Sequence, residues 1–281
     1  MNFSIVIPAK NEAEGLKVLL PRLQGLGAAE IIVVNDGSTD ETAMICEENG
    51  AKVINHPYSM GNGAAIKSGV REATSDQVLF MDADGQHDPS NIKALIARYK
   101  EGYDMVIGAR TSMESQANVL RGFGNGIYNR FASWVVGNKV DDLTSGFRIV
   151  DRKKFTKYLS LLPNGFSYPT TITMVFFRSG YRIAFVPVTM PKRIGKSHMN
   201  IVKDGIKFLL IIFKIGTLYS PLKIFIPIAA VQFLIGLGYY GYTFLVNDRF
   251  TNMGMLFFTS SIIIFMIGLV SEQIANLYYK E

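Results

Sequence analysis

Asp82 and Asp84 stand two residues apart, directly after the apolar run Val78-Leu-Phe-Met81. Two carboxylates that close together at the end of a buried strand repel each other unless a cation lies between them. A hard divalent ion with oxygen ligands relieves the repulsion, and its remaining coordination positions suit a diphosphate. The same residues also read as a turn ahead of a helix that Asp88 caps and Pro89 begins. An EF-hand loop does not fit, because Gly85 falls at loop position 4 and Lys93 stands where the bidentate glutamate belongs. Zinc has little support, since His56, His87, His198 and Cys46 show no ligand spacing. Gly61-Asn-Gly63 is no dinucleotide fingerprint: it is not at the first strand-to-helix turn, and a third glycine is missing. Asn35-Asp-Gly-Ser-Thr-Asp-Glu41 reads equally as a ligand loop or as a turn followed by a capping box from Ser38 to Glu41.

The elements that would position these residues alternate. Phe3–Ile7, Glu30–Asn35, Ala51–Asn55, Gln77–Met81 and Met105–Ala109 are short β-rich runs. Helical patterns over Glu14–Leu26, Asp40–Asn49, Gly63–Ala73 and Pro89–Tyr99 lie between them. This alternation implies an α/β fold with a mostly parallel sheet covered on both faces, where ligands bind beyond the carboxyl ends of the strands. The polar segments Pro8–Glu12, Asn35–Asp40, Asp82–Gln86 and Gly108–Arg110 all follow such ends. Four segments on one rim point to one site.

The chain carries 29 Lys+Arg against 23 Asp+Glu, with 48% hydrophobic residues and one cysteine, Cys46. That composition excludes a disordered chain and a disulfide-stapled secreted scaffold. Residues 201–281 hold only six basic and four acidic side chains. Ile224–Val246 is an uncharged run of 23 residues, about 34 Å as a helix, enough to cross a bilayer core of roughly 30 Å. Met253–Ser271 is a second uncharged run, and the short Asn247–Asn252 link makes the pair a tight hairpin. Pro227 is expected to kink or start the first span. Lys203, Lys207, Lys214, Lys223 and Lys280 flank the spans, which by the positive-inside bias leaves the bulk of the chain and its C-terminus in the cytoplasm. Lys203, Lys207 and Lys214 share one stripe of a helix over Ile201–Tyr219, as expected of a segment lying on anionic headgroups. Met1 leads straight into a short strand run, so no signal sequence is read at the N-terminus. The domains expected are 1–200, a juxtamembrane helix over 201–220, and two transmembrane helices in 221–281.

Taken together, Ile7-Pro-Ala-Lys-Asn-Glu12, Val34-Asn-Asp-Gly-Ser-Thr-Asp40 and Met81-Asp-Ala-Asp-Gly-Gln-His87 resemble a family 2 glycosyltransferase of the GT-A fold. Asp141-Asp-Leu-Thr-Ser-Gly-Phe-Arg148, Arg193-Ile-Gly-Lys-Ser197 and the hairpin narrow the resemblance. It becomes the branch of dolichol-phosphate-mannose synthases and bacterial polyprenyl-phosphate glycosyltransferases, over essentially the whole chain. The resemblance implies that Pro8, Ala9, Glu12 and Asp36 hold the base and ribose of a nucleotide sugar, UDP- or GDP-linked. It implies Asp82 and Asp84 as ligands of Mg²⁺ or Mn²⁺ with Gln86 beside them, and Arg193 and Lys196 in a loop over the diphosphate. Arg110 and Arg121 are implied at the acceptor phosphate. Asn125 stands where relatives tend to have a serine, and Asn62 where many have lysine.

The reaction implied is a single inverting displacement that passes one sugar to an undecaprenyl or dolichyl monophosphate at the cytoplasmic face of the cell membrane. Asp84, Arg121 and Asp142 are its catalytic candidates. For Asp142, a role as base or orienter stands level with capping the turn before Ser145-Gly146. The implied partners are the nucleotide sugar, the polyprenyl phosphate and the bilayer; nucleic acid is not among them, and a homo-oligomer is left open. Arg152-Lys-Lys154 with Lys157 reads as a solvated or lipid-facing patch. Competing readings are a transferase acting on another membrane lipid, a processive polysaccharide synthase, and a non-catalytic scaffold. The synthase usually carries a Gln-x-x-Arg-Trp element, whereas the one tryptophan here, Trp134, lies in Phe131-Ala-Ser-Trp-Val.

Overall fold

The structure, a computed structural model, describes residues 2–110, 119–165, 168–189, 210, 213–214, 216–249 and 251–278, with the backbone alone at 119–125, 247 and 278. The described chain falls into two compact units, drawn from Met1–Ser133 with Asn138–Met199 and from Trp134–Gly137 with Asn200–Glu281.

The first unit is an α/β sandwich. In chain order it contains β1 (Phe3–Ala9), α1 (Ala13–Leu23), β2 (Glu30–Asn35), α2 (Thr42–Glu48), β3 (Lys52–Asn55), α3 (Asn62–Glu72) and β4 (Gln77–Phe80). A 3₁₀ turn at Pro89–Asn91 leads into α4 (Ile92–Lys100), followed by β5 (Met105–Arg110) and α5 (Val119–Val136), whose last residues, from Trp134 on, are counted with the second unit. Then come β6 (Arg148–Asp151), α6 (Arg152–Thr156), α7 (Tyr168–Arg178) and β7 (Ile183–Val188). Among the described residues, seven strands are ordered β3-β2-β1-β4-β6-β5-β7, and of these β6 alone runs antiparallel to its neighbours, β4 and β5.

Alternation along the strands sends side chains to both faces. Phe3, Ile5, Ile7 and Leu79 pack with Leu16, Leu20 and Leu23 of α1, Cys46 of α2 and Leu95 of α4. Val6, Val34, Val78 and Phe80 pack on the other face with Ile66 and Val70 of α3 and with Ile172 and Phe176 of α7. Strands buried on both sides explain the near-continuous apolar runs seen in the sequence. The strand order switches sides between the parallel neighbours β1 and β4, and folds of this kind bind ligands at the carboxyl ends of the strands at such a switch point.

The expected strands and helices up to residue 110 are present, with ends shifted by at most three residues and β2 matching at both ends. The capping box from Ser38 to Glu41 does not form. The helix begins at Thr42, so Glu41 rather than Ser38 stands at the N-cap of α2, without a side-chain bond, and Ser38 Oγ accepts instead from the Asn11 backbone N–H (2.9 Å). Asp88 does cap the turn that Pro89 opens, accepting from the Ser90 N–H at 3.0 Å.

The second unit contains two long helices, α8 (Pro221–Asn247) and α9 (Asn252–Tyr278), joined by a short loop. Their spans of 26 residues each, Pro221–Val246 and Asn252–Leu277, are long and apolar enough to cross a membrane. The first helix begins at Pro221 rather than at Pro227, because a proline at the first helical position loses no hydrogen bond. Pro227 lies inside the helix. Glycines bring the pair close: a Cβ at Gly236 would lie 2.8 Å from Phe257 Cβ, and one at Gly268 would lie 2.6 Å from Phe225 Cβ. Gln232 Nε2 donates to Ser260 Oγ (3.1 Å) between the helices. The helix expected over 201–219 falls largely outside the described residues, as do Lys203, Lys207 and Lys280.

Candidate active site

Three loops at the carboxyl ends of β1, β2 and β3 are tied into one piece. Asn11 adopts a left-handed conformation (φ 54°), which asparagine tolerates better than most residues. Its Oδ1 accepts from the Thr39 N–H (2.8 Å), while the Glu12 and Ala13 amides donate to Thr42 Oγ1 and Asp40 Oδ2. The Asp36 amide donates to the Ala9 carbonyl at 2.8 Å. Asp36 is 4% exposed, and its two carboxylate oxygens accept from His56 Nδ1 (2.8 Å), Ser59 Oγ (2.9 Å), Met60 N (2.7 Å) and Gly61 N (2.9 Å). Burial pushes this carboxyl up, and the four hydrogen bonds outweigh it, so the group titrates below the ordinary range. His56 passes the link on, because its Nε2 lies 2.9 Å from Ser68 Oγ on α3. Asp36 is therefore an internal anchor of the 56–61 loop, a role that its sequence context did not signal.

The N-terminus of α3 is also closed off. The Gly63 and Ala64 amides donate to the carbonyls of Gly165 and Asn164, and a Cβ at Gly63 would sit 2.0 Å from the Pro163 oxygen. Glycine at 61 and 63 thus serves a backbone contact and leaves no phosphate cradle there.

The loop after β4 carries Asp82, Ala83, Asp84 and Gln86. The Asp82 amide donates to His87 Nδ1 (2.8 Å), which leaves the ring proton on Nε2, 3.8 Å from Asp82 Oδ2. Burial lowers His87 to about 4, and the ring stacks on Phe147 with centroids 5.0 Å apart. Asp84 Oδ1 accepts from the Gln86 amide (3.1 Å), closing a tight turn. The first turn of α1 backs this loop so closely that a Cβ at Gly15 would lie 2.2 Å from the Ala83 oxygen. Among the described residues, no group of three or more His, Cys, Asp or Glu side chains forms a metal cage. Two carboxylates on one tight turn that also carries Gln86, with the other positions left to a diphosphate, still supply the oxygen donors that a hard divalent ion takes.

Opposite this loop, the 142–146 turn is built around a second buried carboxylate. Asp142 receives Nε and Nη2 of Arg110 at 2.7 and 2.8 Å, a bidentate pair, and its Oδ1 also accepts from the amides of Thr144 and Ser145. Arg110 Nη2 further contacts Thr144 Oγ1 at 2.5 Å. Burial pushes Asp142 up, but the Arg110 hydrogen bonds and charge dominate and hold it ionised. A carboxylate so engaged is a poor proton acceptor and a good holder of an arginine. Next along the turn, a Cβ at Gly146 would lie 3.0 Å from Asp82 Oδ2. A cavity of about 100 Å³ opens at this point, lined by Asn62, Asp82, Thr144, Gly146 and the first turn of α7.

Pro8, Ala9, Glu12, Asp36, Asp82, Asp84, Gln86, Arg110 and Asp142 thus all lie at the ends of strands on one rim or in the turn facing it. The side chains of Arg121 and Asn125, and all of Arg193 and Lys196, lie outside the described residues.

Residues 4–159 match the model of glycosyl transferase family 2, and residues 220–277 match that of the GtrB C-terminal hairpin. The glycosyltransferase AglJ of Haloferax volcanii is 28% identical over 99% of this chain and 95% of its own length. A dolichol-phosphate mannosyltransferase of Pyrococcus furiosus is 41% identical over a shorter stretch, 39% of this chain and 33% of that protein. Among solved structures, glucosyl-3-phosphoglycerate synthase of Mycobacterium tuberculosis, in complex with Mn²⁺, UDP-glucose and phosphoglyceric acid, superposes with a TM-score of 0.60. It is 21% identical and covers 76% of this chain and 79% of its own, a likeness of fold. With a GT-A-like sheet, the family match over more than half its length and an apolar C-terminal hairpin, the chain belongs to glycosyl transferase family 2 and is a glycosyltransferase.

Proposed function

We propose that the protein transfers one sugar from a nucleoside diphosphate sugar to the phosphate of a polyprenyl monophosphate, with inversion, at the cytoplasmic face of a membrane. The observation that carries this reading is the coexistence, in one chain, of the Asp82–Asp84 rim and a hairpin of two apolar spans. The similarity to a dolichol-phosphate mannosyltransferase supports the lipid phosphate, and Lys214 and Lys223 ahead of the first span support the cytoplasmic side.

Asp82, Asp84 and the Gln86 amide oxygen would hold a divalent cation, Mg²⁺ or Mn²⁺; when bound, it supplies Lewis-acid stabilisation of the leaving diphosphate. The cavity beside Asp82 takes the sugar, with Asn62 and Thr144 offering polar contacts. Arg110 meets the acceptor phosphate, and Asp142 fixes the plane of its guanidinium. The phosphate nucleophile is ionised near neutral pH, so no strong base is needed, and Asp142 acts as orienter. Arg121, Asn125, Arg193 and Lys196 complete the anion contacts in this reading.

The test is the purified protein with a panel of nucleotide sugars and a polyprenyl phosphate, read by mass spectrometry. One sugar on the lipid phosphate is expected. Equal activity toward the dephosphorylated polyprenol, or oligosaccharide on the lipid, would overturn it.

A further inference from the structure

Arg148 opens β6 in the middle of the sheet and has 0% of its surface exposed. A guanidinium at that depth is unexpected, because burying a cation without a carboxylate in contact is costly. Its direct partners are neutral. Nε donates to the Ser145 carbonyl at 3.2 Å, and Nη2 donates to the same oxygen over a shorter distance. Nη1 donates to the Pro169 carbonyl (3.1 Å) and Thr173 Oγ1 (2.9 Å) on α7, and it touches Met105 Sδ. Burial lowers the guanidinium to about 10, which leaves it charged, and Asp82 and Asp142 attract it from a distance. A methionine would fill the same core volume without this cost, so packing alone does not account for an arginine.

What the fork does is join walls of the site. One end holds the backbone of the 142–146 turn, and the other holds the first turn of α7, whose Tyr168, Pro169 and Thr170 line the cavity. The residue after Ser145 is Gly146, which faces the Asp82 carboxylate: a Cβ added there would lie 3.0 and 3.4 Å from its two oxygens. A shift of Ser145 therefore reaches Asp82 within one residue. On the resemblance-implied metal role of Asp82, and thus resting on the function proposed above, we propose that Arg148 is a positioning residue. Its fork sets the Ser145–Gly146 backbone against the Asp82 carboxylate and so fixes the orientation in which Asp82 receives a divalent cation with a nucleoside diphosphate.

The experiment titrates Mn²⁺ into the full-length protein in detergent with UDP or GDP present, whichever the parent binds, and reads free Mn²⁺ by electron paramagnetic resonance. Arg148→Lys keeps the charge and loses the fork; Gly146→Ala disturbs the same contact from the turn while leaving Arg148 in place. Both variants are expected to remain folded by circular dichroism and to bind the Mn²⁺·nucleotide about tenfold more weakly, the range seen when a group orienting a metal ligand is lost. A merely structural arginine would lower the unfolding temperature and leave that affinity unchanged. If Arg148→Lys fails to fold, Thr173→Val, which removes one acceptor of the fork without adding an atom next to Asp82, decides the matter. Parent-like affinity in the folded variants overturns the inference alone, whereas a parent that binds neither Mn²⁺·UDP nor Mn²⁺·GDP overturns the proposed function with it.

Discussion

Asp36 and Asp142 are buried carboxylates whose oxygens are filled by neighbouring donors, so each shapes the site through what it holds. Asp36 holds the 56–61 loop, and folding lowers its pKa below the 3.8 of an ordinary aspartate. A carboxyl depressed by folding adds stability above its unfolded pKa and loses it as pH falls through the lower folded value. Asp36→Asn should therefore cost about 1–3 kcal/mol at pH 7, and the gap to the parent should close as pH drops below 3.8. Denaturant unfolding across that range measures it, and a gap of constant size would contradict the assignment. Asp142 holds Arg110. Replacing Arg110 by Ala should raise the acceptor's apparent KM more than the donor's, by roughly 10- to 150-fold for a lost charge-assisted hydrogen bond. A shift confined to the donor KM would reverse the assignment. Asp82→Asn or Asp84→Asn should lower turnover by orders of magnitude in a folded protein, and full activity in excess chelator would refute the metal role. The Asp82–Asp84 pair stood out by its spacing, whereas Asp36 and Asp142 came forward through the family resemblance. The filling of Asp36 was not legible, because its four donors come from residues 20 to 25 positions away.

Elements whose apolar pattern matched their burial were readable, and those that broke the pattern were not. The strands β1, β2 and β4 are apolar on both faces and stood out. The short β6 begins with Arg148 and ends with Asp151, so a central strand looked polar; its arginine is satisfied by carbonyls that only the fold brings near. Pro187 lies inside β7, and the β-branched stretch Thr170-Thr-Ile-Thr173 belongs to helix α7. In both places tertiary packing overrides local propensity. The same dependence on packing governs α3, whose N-terminus meets the backbone of residues 163–165. Gly63→Ala would force a Cβ to within 2.0 Å of a carbonyl oxygen that belongs to backbone. The expected cost is at least about 1–3 kcal/mol, seen as a lower unfolding temperature; an unchanged midpoint would show that the 163–165 loop yields freely.

At the scale of the whole molecule, the hairpin was the most legible feature, since two uncharged runs and a six-residue link need no long-range contact to be recognised. Asp248 caps the first helix in a left-handed conformation (φ 49°), which turns the chain at once toward Asn252. If both spans cross the bilayer, Asp248 and Arg249 emerge on the face opposite the first unit, and a thiol probe can decide the orientation. The native background is low, because Cys46 is buried in the core and burial pushes its thiol up to about 11, far from the reactive thiolate. A cysteine at Arg249 should react with a membrane-impermeant maleimide in intact cells. A cysteine at Tyr58, 66% exposed in the first unit, should react only after the membrane is opened. Labelling in the opposite order would place the sugar-transfer site outside the cytoplasm, beyond the reach of nucleotide sugars made within it.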